Sequence, residues 1–196
     1  MKRIFAIYLV FLLIMATRGF ALAEETGSSG VAAGEESWDA IEGSYATIYV
    51  ESGVDLKRAV QKINVDFARY DPVEKGIFLE KDVSEREELA NKIDIVIRKA
   101  RKILDMYPQN FRVDIKIYND EEGLRNTYKD IFEEEKGHKA FYIHKFKTIY
   151  VSMDNLSASI LAHEIGHAII DNYFTIPPPP KISELLACYV DLHLKD

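Results

Sequence analysis

The chain has 196 residues, 47% of them hydrophobic and 29% charged, a balance that builds one packed domain and excludes a disordered or fibrous protein. A formal charge of −7 argues against nucleic acid or an anionic membrane surface as the main partner, since both demand clustered Lys and Arg. With Cys188 as its one cysteine, the chain has no disulfide framework.

Residues 1–23 read as a cleavable secretory signal. Lys2 and Arg3 precede an apolar run from Ile4 to Ala16, and the segment closes on Ala21-Leu22-Ala23. The run falls short of the roughly 20 apolar residues of a membrane span, so no stable membrane anchor is expected. Loss of Lys2, Arg3 and Arg18 makes the exported, periplasmic or secreted chain still more acidic. Residues 24–37 are small and polar without periodicity and read as a flexible leader. The folded domain is then 38–196.

Residues 45–51, rich in β-branched and aromatic side chains, predict a strand. Leu56, Ala59, Val60, Ile63, Phe67 and Tyr70 recur at helical spacing up to Asp71-Pro72, which predicts a helix, followed by a short strand at 77–79. Ser84 and Glu87 form a capping box ahead of a long apolar stripe from Leu89 to Leu104, predicting a helix that ends at Tyr107-Pro108. Residues 111–118 alternate as a half-exposed strand does, and 121–132 predict a helix. Residues 141–143 and 149–153 read as a hairpin around His144-Lys145-Phe146-Lys147.

The chemistry is concentrated beyond this hairpin. Ser157 caps a helix over about 159–172, with Leu161, Ile165, Ala168 and Ile169 as its apolar face. His163 and His167 lie one turn apart on one side of it, so two neutral imidazoles can reach a single zinc ion. Glu164 stands beside the pair and can take a proton from a water activated there. Gly166 leaves room for another backbone to approach. The plainer alternative is two histidines satisfied by ordinary hydrogen bonds.

A catalytic zinc needs a third protein ligand, and Asp171, Glu184, Asp191 and His193 are the candidates. Asp171 sits one further turn along the same helix, too far to close a compact site. Glu184 follows the prolines 177–180 and opens a second helix, 183–194, from which it can swing back. Its plain alternative is a first-turn carboxylate favoured by the helix dipole behind a Ser183 cap. Asp191 returns to the face of Glu184 and could orient a ligand histidine, whereas His193 points the other way. Cys188 reads as a small buried packing residue.

His163-Glu164-Ile165-Gly166-His167, followed by Ser183-Glu184-Leu185-Leu186-Ala187-Cys188-Tyr189, resembles the gluzincin branch of zinc peptidases, in particular the compact minigluzincins. The resemblance covers roughly residues 139–196 with specific motifs and more loosely the elements from Tyr45 onward. It implies an α+β, zincin-like single domain with a small mixed sheet, one zinc ion on His163, His167 and Glu184, and Glu164 as general base. The implied activity is hydrolysis of polypeptide substrates by a metallopeptidase. A zincin-like binding or assembly module without catalysis is the alternative. The sequence departs from thermolysin-like relatives at Cys188, where those place a carboxylate. Tyr173 and Tyr189 are candidates for steadying the oxyanion. Strand 148–152 is expected to form the open sheet edge that pairs with substrate.

Overall fold

The computed structural model describes residues 38–64 and 83–194. The signal segment, the leader, the strand expected at 77–79 and residues 65–70 lie outside the described residues; the helix expected to run from Leu56 to Tyr70 already stops at Lys62, where Ile63 leaves the helical conformation at ψ 74° and its N–H closes on the Ala59 carbonyl. The described residues form a mixed α+β domain belonging to one compact unit. In chain order it comprises β1 (Trp38–Glu42), β2 (Ala46–Glu51), α1 (Leu56–Lys62), α2 (Glu85–Leu104), β3 (Val113–Tyr118) and α3 (Glu121–Phe132). β4 (Ala140–Ile143), a 3-10 turn (His144–Phe146), β5 (Thr148–Ser152), α4 (Ala158–Tyr173) and α5 (Pro180–His193) complete it.

The sheet order is β1-β2-β3-β5-β4, with β2, β3 and β5 parallel and the outer strands antiparallel to their neighbours. Alternation places Ala46, Ile48 and Val50 of β2 and Val113, Ile115 and Ile117 of β3 on one face. There they share a core with Leu89, Ile93 and Val96 of α2 and Leu161, Ile165 and Ile169 of α4. On the opposite face α3 covers Tyr118, Phe141, Ile143 and Tyr150 through Leu124. Asp94, buried in α2, accepts the backbone N–H groups of Ser44 and Tyr45 at 2.6 and 3.0 Å, which pins the β1–β2 turn to the core.

Four further expectations are corrected. Residues 38–42, not expected as a strand, form β1, which pairs antiparallel with Thr47 to Glu51 of β2. α2 stops at Leu104, where Asp105 adopts a left-handed φ of 52° and its N–H caps Arg101 and Lys102. α5 starts at Pro180 rather than Ser183, because proline has no N–H to lose in the first helical turn and its φ suits that position. Strand 148–152 is not an edge: β5 is buried at every position between β3 and β4. Among the described residues the edge strand on that side of the sheet is β4. Among the described residues no helix is long and apolar enough to cross a membrane.

Candidate metal centre

The Ser157 hydroxyl accepts the Ile160 N–H at 3.2 Å and starts α4. Leu161, Ala162, Ile165, Ala168 and Ile169 are wholly buried, which fixes the rotation of the helix about its axis. His163 and His167 are thereby left facing a cavity of about 490 Å³. Their Nε2 atoms converge to 3.2 Å. From α5 the Glu184 carboxylate brings Oε1 to 3.5 Å from His163 Nε2 and Oε2 to 3.4 Å from His167 Nε2. Donors held about 2.0–2.1 Å from a tetrahedral zinc ion stand roughly 3.3–3.4 Å apart. Two imidazole nitrogens and a carboxylate at these separations fit that ion.

The approach of α5 depends on Gly166. A Cβ built there would lie 3.2 Å from Ala187 Cα and 3.5 Å from Val190 Cγ2, so the missing side chain lets α5 settle close enough for Glu184 to reach the histidines. Gly166→Ala is expected to weaken zinc binding about tenfold. It should also lower the melting temperature: alanine favours helix by about 1 kcal/mol, but overpacking two helices costs about 1–3 kcal/mol. Chelator competition alongside thermal melts checks both, and unchanged zinc affinity would show that helix spacing does not set the ligand geometry.

The second ring nitrogens are served differently from expectation. His167 Nδ1 lies 3.1 Å from Ser183 Oγ, so Ser183 orients a ring instead of capping a helix. Asp191 accepts the Ser159 hydroxyl and does not reach a histidine. Cys188 is partly exposed rather than buried. Its thiol donates to Glu184 Oε1 at 3.7 Å, within a His163, Glu184 and Cys188 group whose donor atoms lie within 4.8 Å of one another. Desolvation and the Glu184 and Asp191 carboxylates push that thiol up. Burial and the neighbouring His163 hold His167 below the usual histidine range despite Glu184. A neutral imidazole is what metal ligation requires.

Glu164 is buried beside the histidines, 9% exposed. Burial, with the nearby Glu184 charge adding to it and the backbone N–H of Tyr142 opposing, pushes its carboxyl up to about 7. The contribution of Glu184 lasts only while that carboxylate is uncompensated, whereas the burial persists. A carboxyl poised near neutrality can both take and return a proton.

The cavity wall opposite comes from β4 and the turn after it, which the sequence reading left without a role. Tyr142 donates its hydroxyl to Asp171 Oδ2 at 2.9 Å, and His144 Nδ1 meets the same oxygen. Asp171 is therefore engaged across the cavity by Tyr142 and His144. Desolvation and the Asp171 carboxylate hold the Tyr142 phenol above its usual range, which keeps it a donor. Tyr173 and Tyr189 do not line the cavity: both are about half exposed, and Tyr189 packs against His193. The His193 ring turns back to the Tyr189 carbonyl, away from the ligand triangle as expected. No known family matches this chain, and no curated protein or solved structure matches it significantly.

Proposed function

We propose that this chain is an exported zinc-dependent peptidase with a zincin-like fold. The observation that carries the reading is the convergence of His163 Nε2 and His167 Nε2 on each other and on the two oxygens of the Glu184 carboxylate at 3.2 to 3.5 Å, with a buried carboxylate, Glu164, beside it. Export rests on the sequence of residues 1–23.

Zinc, when bound, supplies a Lewis acid that polarises the scissile carbonyl and acidifies water. His163, His167 and Glu184 hold it, and Ser183 keeps the His167 ring turned. Glu164 accepts the proton of the attacking water and returns it to the leaving amine, while the Tyr142 N–H steadies its carboxylate form. β4, the open edge beside the cavity, offers main-chain hydrogen bonds to an extended polypeptide, and its four residues Ala140–Ile143 give room for a short stretch of substrate.

Two measurements test this: zinc content per chain, and turnover of an unfolded polypeptide with and without chelator. One zinc per chain is expected, with activity lost on chelation and restored by added zinc. A protein that holds its zinc and cleaves nothing would replace the peptidase by a zincin-like binding or assembly module.

A further inference from the structure

From Gly137 to Met153 the chain has no Asp or Glu but carries Lys139, Lys145, Lys147, His138 and His144, in a protein of formal charge −7. The three lysines are exposed and flank β4, one just before it and two just after. None is within ion-pair distance of a carboxylate among the described residues. Just before them, Lys129 at the end of α3 and Lys136 in the following loop are already paired, with Glu135 and Glu134. An unpaired basic stretch on an acidic protein is ordinary when it lies on a remote face; this one brackets the strand edge that lines the metal cavity.

At the start of β4 the basic groups enclose a recess. Arg125 of α3, His138 and Lys139 line a hollow of about 150 Å³, and His138 also lines the metal cavity, so the two share a wall. The one acidic residue lining the hollow, Glu121, accepts the Asn155 side-chain amide at 2.6 Å. Glu135 lies within electrostatic range of Arg125 but is bonded to Lys129. In the metal cavity, Asp171 is taken up by Tyr142 and His144, Glu164 is buried, and Glu184 faces the histidines. The recess thus sets two cations, Arg125 and Lys139, against the one carboxylate of Glu121, and its lining carries a net positive charge. At about 30 Å³ per water, the hollow has the capacity of roughly five waters, which suits a short side chain ending in a carboxylate.

We propose that this recess is a specificity subsite that receives an Asp or Glu side chain of a polypeptide laid along β4. The substrate class is therefore acidic polypeptide; this assignment rests on the peptidase reading above. The Arg125 guanidinium offers a planar fork to the carboxylate, and the Lys139 ammonium adds a field that strengthens at low salt.

The test uses the zinc-loaded protein and a set of peptides identical except for Glu, Gln or Lys at one position at a time around the scissile bond. At one position the Glu peptide should be cleaved with a kcat/KM roughly tenfold above its Gln twin, the difference lying in KM and shrinking at high salt. The double variant Arg125→Glu with Lys139→Glu, both at exposed positions, should erase or invert that ratio, and Lys139→Arg should keep it. Cleavage without charge preference, or a preference that survives the double reversal, overturns the subsite while leaving the peptidase intact. Fluorescent versions of the same peptides, titrated onto Glu164→Gln protein, give a readout independent of turnover. If wild type cleaves nothing but the Glu peptide binds in a salt-sensitive way that the double reversal abolishes, the recess stands and the peptidase reading falls. Absence of both cleavage and charge-dependent binding overturns the recess as well.

Discussion

Replacing Glu164 by glutamine is expected to lower peptide turnover by roughly 100- to 10,000-fold, the usual loss when a positioned general base is removed. Zinc content and the melting temperature should barely move. The amide has nearly the shape of the carboxylate and still offers an oxygen to the Tyr142 N–H, so the buried position keeps its partner and its packing. What it loses is the ability to accept a proton. Its burial even favours the substitution, since desolvating a neutral amide costs less than desolvating a carboxylate. Single-turnover hydrolysis, metal analysis and thermal melts on one preparation separate these effects. An active Glu164→Gln protein would remove Glu164 from the chemistry.

The second large effect is on the metal. Glu184→Ala should weaken zinc binding more than about 100-fold, beyond the 10- to 100-fold cost of losing a partner that only orients a ligand. Ser183→Ala supplies that lower benchmark in the same helix, since the Ser183 hydroxyl meets His167 Nδ1 at 3.1 Å. His163→Ala should lose zinc and also melt earlier, because metal affinity gained on folding is returned to the stability of the fold. Competition with a chromophoric chelator ranks the three. Equal zinc affinity in wild type and Glu184→Ala would exclude Glu184 from the ligand set and direct attention to the Cys188 thiol, which lies with His163 in the same group of donors.

The parts legible in the sequence are those written in local terms. The Ser84/Glu87 box, the bounds of α3 and the helical setting of His163 and His167 depend on residues within a turn or two of one another, and the structure places them as read. Gly166 was readable as a close approach because only glycine's missing Cβ is needed for that argument. The misplaced features depend on distant partners. Of β1 only Ile41 is buried, so no periodicity marks it; pairing with β2 does. That β5 is interior follows from its parallel register with β3, Ile115 opposite Ile149, which nothing near residue 149 encodes. The Tyr142, His144 and Asp171 group joins a strand, a turn and the far end of a helix. Four prolines read as a stop, although the last of them is the first residue of α5.

The short open edge of β4 has a further consequence, for how the protein survives in a crowded solution. A bare strand edge invites a second sheet to pair with it and can seed fibrils; lysines beside an edge are a common protection, because two such edges repel when they meet. Here the edge strand is four residues long and bracketed by Lys139, Lys145 and Lys147. The charges that would favour an acidic peptide therefore also discourage the protein from adding a copy of itself.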